Sequence, residues 1–597
     1  MAIWEHLDPD KVHVAYAVLA VFSTLFSLCS LFVKEKLYIG EASVATIFGL
    51  IVGPHCLDWF DPSSWGNQFY ITLEISRILL CIEIIAVAVE LPKKYIYKHF
   101  LSVFLLLIPV MTCGFLIIGL FIWLIIPNLK YSYGLLIAAC ITATDPVLAQ
   151  AVVGKGKFAR RVPAHLRNLL SAESACNDGV SVPFVYLSLA LILHSGKHAE
   201  IAKDFICVTV LYECAFGALF GAFVGYACRK AIRFAEEKDL IDRESMLAFY
   251  IFMACLCAGF GSILGIDDLL ASFSAGAAFA WDGWFTEKTE ETHVSTVIDL
   301  VLNLAYFVFF GAQIPWAEFN NGSLGLDWWR LVCLALVVLT LRRIPAVFAI
   351  KKFSPDIKSW KEALFVGHFG PIGVGAVFAA IIAVGDLEAE VSHIHHGPTD
   401  DYPTDGEYHQ LIRIIWPIVS FLIFTSIVVH GSSVAVLTLG RHLQTMTFTM
   451  TFTRADTSGT TGGWTSRLPK LEKSGTSFSI KRVDTMAQFG DSDEATVATE
   501  ELGDRFTPNS VNHRRQQSNL DGEDITDMNT ENNAATLDNA EVPSQARQRA
   551  GLKKRRQQKK RLQKLKKRKN AERPMPPVLD LSGSRNQFQL CQGRYQS

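Results

Sequence analysis

Residues 131–153 read YSYGLLIAACITATDPVLAQAVV, and the Asp-Pro pair within this apolar stretch predicts a helix that is broken inside a membrane. Pro146 has no backbone N–H and disfavours a helical conformation at Asp145. Thr142 and Thr144 can bond backbone groups that the break releases, or face a cavity. A broken helix with open carbonyls and a carboxylate is how transporters build cation sites. The alternative is a proline kink with Asp145 in a salt bridge.

The next apolar stretch opens with SAESACNDG, residues 171–179. In a helix, Glu173 and Asn177 are i,i+4 neighbours on one face, and Ser174 and Asp178 form a second such pair on the adjoining face. Oxygen ligands from Ser, Asn and Asp suit a hard cation such as Na⁺. Burial favours the protonated form of a carboxylate, so Asp178 can exchange H⁺ for Na⁺ at one site. The alternative is a structural cap at the start of the helix.

Thirteen stretches are apolar enough to be interpreted as helices that cross a bilayer, which takes about 20 apolar residues each. These spans lie near residues 13–33, 38–54, 70–91, 100–126, 131–153, 172–194, 205–230, 245–264, 267–281, 295–315, 328–350, 361–385 and 411–438. The chain is therefore predicted to be an all-α polytopic membrane protein. Spans 1–6 and 8–13 form two six-helix repeats around span 7. Because the number of helices from one span to its equivalent is odd, the repeats are inverted.

Span 12 contains a second interruption, GHFGPIGVG at residues 367–375. Spans 5 and 12 occupy matching positions in the two halves. A pair of Gly/Pro-interrupted spans in matching positions points to crossed half-helices around a midplane site. His368 lies beside this interruption and is a candidate titrating group, with ordinary hydrogen-bonded packing as the alternative.

Arg342 and Arg343 lie deep in span 11, in the run VVLTLRRIPAVF. An unpaired buried charge is costly, so an arginine at this depth needs a carboxylate partner, and Glu173 is the available candidate. Such a pair would hold the core together rather than bind the ion. Arg342 can instead extend its guanidinium towards the inner face of the membrane.

The composition separates the chain into two regions. Of 597 residues, 50% are hydrophobic and 19% charged, which argues against a soluble multidomain enzyme, since soluble chains carry about 25% charged residues. Residues 1–440 hold 29 basic and 39 acidic side chains and form the predicted transmembrane domain. Residues 441–597 hold 27 basic and 18 acidic side chains and no apolar span, which predicts a largely disordered regulatory tail.

The basic side chains predict the orientation of the chain. Lys and Arg concentrate in alternate loops, which places the N-terminus outside and the tail in the cytosol. Within the tail, residues 551–570 hold 12 basic side chains. In a cytosolic tail this run predicts contact with anionic lipid or with regulatory proteins, rather than with nucleic acid. An ordinary solvated tail is the alternative, and no cofactor is expected.

Together, TATDPVLAQ, AESACNDG and the GHFGPIGVG break resemble the motifs of the fungal plasma-membrane alkali-cation/proton antiporters, within the monovalent cation/proton antiporter superfamily. The resemblance covers residues 1–440. It implies a core domain and a dimerisation domain built from two inverted six-helix units, and a homodimer. It also implies a secondary transporter, not an enzyme, that exchanges intracellular Na⁺, with Li⁺, K⁺ and Rb⁺ as further substrates, for external H⁺. The implied roles are salt tolerance and cation and pH homeostasis.

The resemblance also assigns roles to side chains around the Asn-Asp pair. It implies that Asp178 is alternately protonated and cation-bound, and that Asn177 supports it. Glu173 and Ser174 occupy the family's usual places, with Arg343 as the partner of Glu173.

The fifth span contributes the unwound helix. Asp145, Thr144 and Thr142 match the family's contribution from this helix, so Na⁺ is expected at Asp178 and Asp145.

Two further acids, Asp267 and Asp268, match acidic residues of the fungal members. They open span 9 near the predicted outer surface, so we expect them to act as an ion funnel or in conformational change. The alternative is a pair of solvated carboxylates favoured by the dipole at a helix start.

Two other classes of function compete with the antiporter. One is a passive cation channel gated by the tail, and the other is a polytopic sensor whose buried charges are structural. A channel needs a continuous pore, often with symmetric filter repeats, and the sequence shows no such repeat. A pair of broken helices with one titratable carboxylate favours the antiporter over both.

Overall fold

The computed structural model describes residues 10–37, 39–146, 148–149, 162–289, 294–392, 406 and 408–445. In these ranges the regular elements are all helical. The main helices are α1 Lys11–Phe32, α2 Glu41–Val52, α3 Gln68–Glu90, α4 Phe100–Ile125, α5 Tyr131–Cys140, α6 Ala164–Leu193, α7 His198–Glu237, α8 Arg243–Leu264, α9 Asp268–Phe279, α10 Val294–Ala312, α11 Trp328–Leu341, α12 Ile344–Ile350, α13 Trp360–His368, α14 Val374–Ser392 and α15 His409–Thr445. The basic run 551–570 and the tail beyond residue 445 lie outside the described residues.

Each of the thirteen stretches predicted to cross the membrane contains helix in the structure. Within the described ranges, seven helices are long and apolar enough to cross a bilayer by length and composition, and further apolar helices are shorter. The predicted all-α, multi-span fold is therefore confirmed. The last helix continues to Thr445, slightly beyond the boundary predicted after residue 440.

Spans 5 and 12 are interrupted as predicted. Helix α5 ends at Cys140, residues 141–145 are non-helical, and helical structure resumes at Pro146. Proline suits the first turn of a helix because the N–H that it lacks would have no partner there. Span 12 consists of α13 and α14 on either side of the non-helical residues 369–373.

Helix α6 begins earlier than the sequence predicted. It starts at Ala164 and runs for 30 residues, so Glu173 and Asp178 lie near its middle instead of in its first turns. The alternative interpretation of these residues as a cap at a helix start is therefore wrong. The polar segment lies in the interior of this 30-residue helix.

Small residues let several helices pack backbone against backbone. A side chain added at Gly221 or Gly225 of α7 would overlap the carbonyl oxygens of Ala271 and Ala275 in α9. Helices α2 and α10 approach in the same way, since a side chain at Gly49 would overlap the Val308 carbonyl. In membrane proteins such close van der Waals contact replaces the hydrophobic driving force of soluble cores.

Helix α3 packs against α6, α8, α9 and α14. The second half of α3 is buried almost continuously, from Leu79 to Val89. This position brings α3 against α6, which carries the Asn-Asp pair, and α14, the second half of the broken span 12. Helix α3 therefore borders the part of the molecule where the two breaks lie.

Candidate functional site

The breaks in spans 5 and 12 meet at Asp145. Its backbone N–H donates to the Pro371 carbonyl at 2.8 Å. Its carboxylate accepts the N–H of Leu148 at 3.0 Å and the N–H of Val374 at 2.5 Å. Val374 is the first residue of α14, so one carboxylate caps the second half of both broken helices. The predicted crossing of the two broken helices is confirmed.

Arg342 joins the two breaks from the opposite side. Its guanidinium donates to the Ile141 carbonyl at 2.6 Å, to the Ala143 carbonyl at 2.9 Å, and to the Gly370 carbonyl. The side chain is only 5% exposed. The interpretation that Arg342 extends towards the inner face is therefore wrong. The breaks strip these carbonyls of their helical partners, and a fork of N–H donors satisfies several at once.

Glu173 and Arg343 form the predicted buried ion pair. The guanidinium contacts both carboxylate oxygens, one at 2.5 Å and the other at 3.0 Å. Such two-point contact is the strong form of a charge-assisted hydrogen bond. Arg343 lies in the short interruption between α11 and α12, so the pair fixes the middle of α6 to that interruption.

Asn177 connects α6 to the break in span 5. Its amide group donates to the Thr144 hydroxyl at 2.5 Å and to the Glu173 carboxylate at 3.1 Å. The Thr144 hydroxyl in turn lies 3.4 Å from the same Glu173 oxygen. The amide oxygen of Asn177 is buried and has no hydrogen-bond partner within the described ranges. It is therefore an oxygen ligand left open beside Asp178.

Asp178 is the one acid of the Asn-Asp pair, and it is 1% exposed. Neither carboxylate oxygen has a hydrogen-bond partner among the residues that the structure describes. A buried carboxylate without donors is costly unless it takes up a proton or a cation. It approaches α14 closely at Gly375, where a side chain would overlap the carboxylate. Asp145 and Asp178 thus converge on the first turn of one half-helix.

Ser174 and Thr142, the other two predicted ligands, are also buried. The Ser174 hydroxyl donates to the Ser171 carbonyl at 3.3 Å, and the Thr142 hydroxyl donates to the Ala138 carbonyl at 2.7 Å. Each hydroxyl therefore donates its hydrogen bond within its own helical segment. What each can offer to a cation is the remaining lone pair of its oxygen.

Asp267 and Asp268 are buried, each about 5% exposed. Asp267 caps α9 by accepting the Leu270 N–H at 2.8 Å. Asp268 forms an ion pair with Arg77 of α3 at 2.6 Å. The alternative of two solvated carboxylates is therefore wrong, although Asp267 does stabilise the helix start as that alternative supposed.

His368 connects the break in span 12 to the last helix. Its Nε2 lies 3.1 Å from the Ser433 hydroxyl of α15. The Nε2–H of His430, also in α15, donates to the His368 carbonyl at 3.0 Å. Nothing in the sequence pointed to His430, because a single histidine in an apolar stretch gives no signal of its partner. Nothing in the sequence pointed to a functional role for Glu83 of α3, which is also buried.

Glycines in the second break give the carboxylates room. A side chain at Gly373 would overlap the Asp145 carboxylate. We expect Gly373→Ala to lower the free energy of unfolding by about 1–3 kcal/mol, the usual cost of overpacking a core. The thermal midpoint in detergent measures this loss. Gly259→Ala is the matched control, since a side chain at Gly259 meets nothing within 4 Å. Equal midpoints for the two variants would contradict the prediction.

The chain is similar to one protein-family model and to several known proteins. The family model described as "Sodium/hydrogen exchanger, transmembrane" matches residues 21–440. A Na(+)/H(+) antiporter of Saccharomyces cerevisiae is 61% identical over 500 residues, which are 83% of this chain and 51% of that protein. Na(+)/H(+) antiporter 2 of Zygosaccharomyces rouxii is 58% identical over 84% of this chain and 62% of its own length. The chain thus spans between half and two thirds of these two relatives.

A shorter relative is matched over nearly its whole length. A Na(+)/H(+) antiporter of Schizosaccharomyces pombe is 42% identical over 448 residues, 74% of this chain and 94% of that protein. Among solved structures, the sodium proton antiporter MjNhaP1 from Methanocaldococcus jannaschii superposes with a TM-score of 0.52 at 22% identity. The match covers 71% of this chain and 100% of that one, and it supports the fold alone.

Proposed function

Because this chain belongs to the sodium/hydrogen exchanger family, we propose that it is a secondary active transporter that exchanges intracellular Na⁺ for external H⁺. The observation that carries the proposal is the carboxylate of Asp178, buried and without a hydrogen-bond donor among the described residues. It lies against the point where two broken helices cross. A proton or a monovalent cation neutralises this carboxylate, and competition between the two couples their movements.

The cycle follows from this competition. On the cytosolic side, deprotonated Asp178 binds Na⁺, with the open amide oxygen of Asn177 as a second ligand. The core then moves against the rest of the domain and exposes the site to the outside. There Na⁺ leaves and a proton takes its place, so that the return movement carries H⁺ inward. A site that moves only when it is neutralised does not leak either ion.

The surrounding groups have supporting roles. Asp145 caps both half-helices and adds negative charge next to the cation, so it both stabilises the fold and attracts the ion. Thr144 holds Asn177 through a hydrogen bond, and Ser174 and Thr142 contribute oxygen lone pairs from their own helices. Glu173 and Arg343 neutralise each other and hold the site together without binding the ion.

The buried charges also bear on the competing classes of function. In a sensor with structural charges, each buried acid should be paired, as Glu173 and Asp268 are. Asp178 departs from that pattern. A channel needs an open path, whereas both breaks are closed by Asp145 and Arg342. These contacts favour a transporter whose access alternates.

Further features extend the proposal to the whole protein. We place it in the plasma membrane as a homodimer, with its N-terminus outside and its tail in the cytosol. Li⁺, K⁺ and Rb⁺ are proposed as further substrates, and the physiological roles are salt tolerance and cation and pH homeostasis. Asp267, as the cap of α9, and Asp268, paired with Arg77, are proposed to guide ions or to change partner during the cycle. The basic run 551–570 is proposed to contact anionic lipid or regulatory proteins.

Exchange is tested directly in proteoliposomes. The purified protein is reconstituted, a proton gradient is imposed, and Na⁺, Li⁺ or K⁺ is added while internal pH is followed with a trapped dye. We expect each transported cation to change internal pH at a rate that saturates with its concentration. Cation flux that is indifferent to the proton gradient would support the channel instead. Absence of any flux in a protein that remains folded would support the sensor.

A further inference from the structure

A second acid, Glu83 in α3, is buried with no hydrogen-bond donor in the part of the chain that the structure describes. The side chain is 3% exposed, and neither carboxylate oxygen has a partner in the described part of the chain. Paired buried acids elsewhere show what a structural role looks like: Glu173 contacts Arg343, and Asp268 contacts Arg77. Placing an ionisable group inside the membrane costs free energy, so its presence there indicates a functional role. Packing alone therefore does not explain why the Glu83 carboxylate is buried.

Glu83 lies on the face of α3 that makes polar contacts with α10 and with Gln313, which follows its end. Along one face of α3, the Thr72 hydroxyl is 3.0 Å from the Gln313 amide, and the Ser76 hydroxyl is 2.8 Å from the Tyr306 hydroxyl. Positions 72, 76 and 83 share a face because 11 residues make about three helical turns. Each of the first two side chains in this row has a partner from the opposing segment.

On the α10 side, the row continues with another open polar group. Asn303 lies one turn before Tyr306, is 8% exposed, and its amide oxygen has no hydrogen-bond partner among the described residues. Glu83 and Asn303 thus add open oxygens to two neighbouring helices. This combination of a carboxylate and an amide oxygen repeats the pair offered by Asp178 and Asn177.

Among the residues that the structure describes, the charges that act on Glu83 come from acids. Asp145, Asp178 and Asp299 lie close enough for their charges to act on it. The core arginines are occupied elsewhere, Arg343 by Glu173 and Arg342 by backbone carbonyls. Several carboxylates within reach of one another in a medium of low dielectric cannot all stay charged without a counterion. The region therefore attracts a small cation.

We propose that Glu83 forms a cation-binding station beside the transport site, where a monovalent cation is held by the Glu83 carboxylate and the Asn303 amide oxygen before it reaches Asp178. This inference rests on the proposed exchange function and adds a route to it. Glu83 lies on α3, which packs against both α6 and α14, and the Asp178 charge acts on it, so the proposed station adjoins the transport site. Binding at Glu83 sets the affinity of the protein for the cation, while the exchange of cation for proton takes place at Asp178.

The test compares Glu83→Gln with Glu74→Gln. Glutamine keeps the size of the side chain and removes its charge. Glu74 is on the same helix but partly exposed, where it pairs with Arg77 at 3.5 Å. We expect Glu83→Gln to raise the KM for Na⁺ about tenfold, with a smaller effect on the maximal rate, which is the signature of lost substrate binding. Glu74→Gln should stay near the native KM. Glu83→Asp, which keeps a carboxylate, should recover part of the affinity.

A second measurement keeps the test decisive if a variant transports too slowly. The Na⁺-induced rise in the thermal midpoint of the detergent-solubilised protein reports binding without transport. Glu83→Gln should need more Na⁺ for half of the rise than the native protein does. An unchanged KM together with an unchanged midpoint titration would overturn the station while leaving exchange at Asp178 intact. A native protein without proton-coupled flux would instead overturn the proposed function itself.

Discussion

Asp178→Asn is expected to abolish cation-driven proton movement in proteoliposomes while the protein remains folded. Asparagine matches the shape of aspartate but can neither release a proton nor carry the negative charge that holds Na⁺. The Asp178 carboxylate has no donor among the described residues, so its removal breaks no hydrogen bond there. Because a buried carboxylate without partners is costly, the thermal midpoint should be unchanged or higher. Loss of transport without loss of stability is the expected signature.

Asp242→Asn provides the matched control for this substitution. Asp242 precedes α8 and caps it by accepting the Ser245 N–H at 3.0 Å. Asparagine caps helices about as well as aspartate, so this variant should transport like the native protein. If Asp178→Asn retained proton-coupled Na⁺ flux at a rate near the native one, Asp178 would not be the exchanging group. Asp145 would then be the next acid to test.

Of the substitutions proposed, Arg343→Met is expected to cause the largest decrease in the free energy of unfolding. It leaves the Glu173 carboxylate buried next to Asn177 without its cation. Breaking a buried ion pair from one side usually costs about 3–5 kcal/mol. The measurement is the thermal midpoint of the purified variant, supported by the yield of folded protein. Arg330→Met serves as control, because Arg330 forms a partly exposed pair with Asp327 at 3.3 Å, and such pairs contribute about 0–1 kcal/mol.

The double variant Glu173→Gln/Arg343→Met separates charge from packing. If the cost of Arg343→Met comes from an unpaired charge, neutralising Glu173 as well should recover much of the stability. Glutamine can still accept the amide hydrogen of Asn177, so that contact is kept. A double variant no more stable than Arg343→Met alone would show that packing of the arginine, rather than its charge, stabilises this part of the core.

The positions of the spans could be predicted because hydrophobic length is a local property. The two breaks were equally readable, since Pro146 and the glycines at 370, 373 and 375 act on the backbone at their own positions. The Glu173 and Arg343 pair could be predicted for a different reason. Burying a charge in a membrane leaves few choices of partner, so a short list of ionisable residues identified it.

Other features depend on which atoms the fold brings together. The start of α6 at Ala164 was missed because its first turns are only weakly apolar, so a hydropathy argument begins the span too late. The partners of Arg342 were not predicted because they are backbone carbonyls, which every residue has and no sequence pattern marks. Glu83 gave no signal of its importance, because an acid without a partner differs from a paired acid only in three dimensions.

The guanidinium of Arg342 bears on how many ions the crossing of the two broken helices can hold. In broken helices, exposed carbonyl oxygens commonly serve as ligands for mobile alkali ions. Here the carbonyls of Ile141, Ala143 and Gly370 already accept hydrogen bonds from the guanidinium of Arg342. Its positive charge is a permanent part of the protein. We therefore expect no second alkali ion at these carbonyls. Under the exchange proposed at Asp178, the crossing of the two broken helices loads one cation in each turnover.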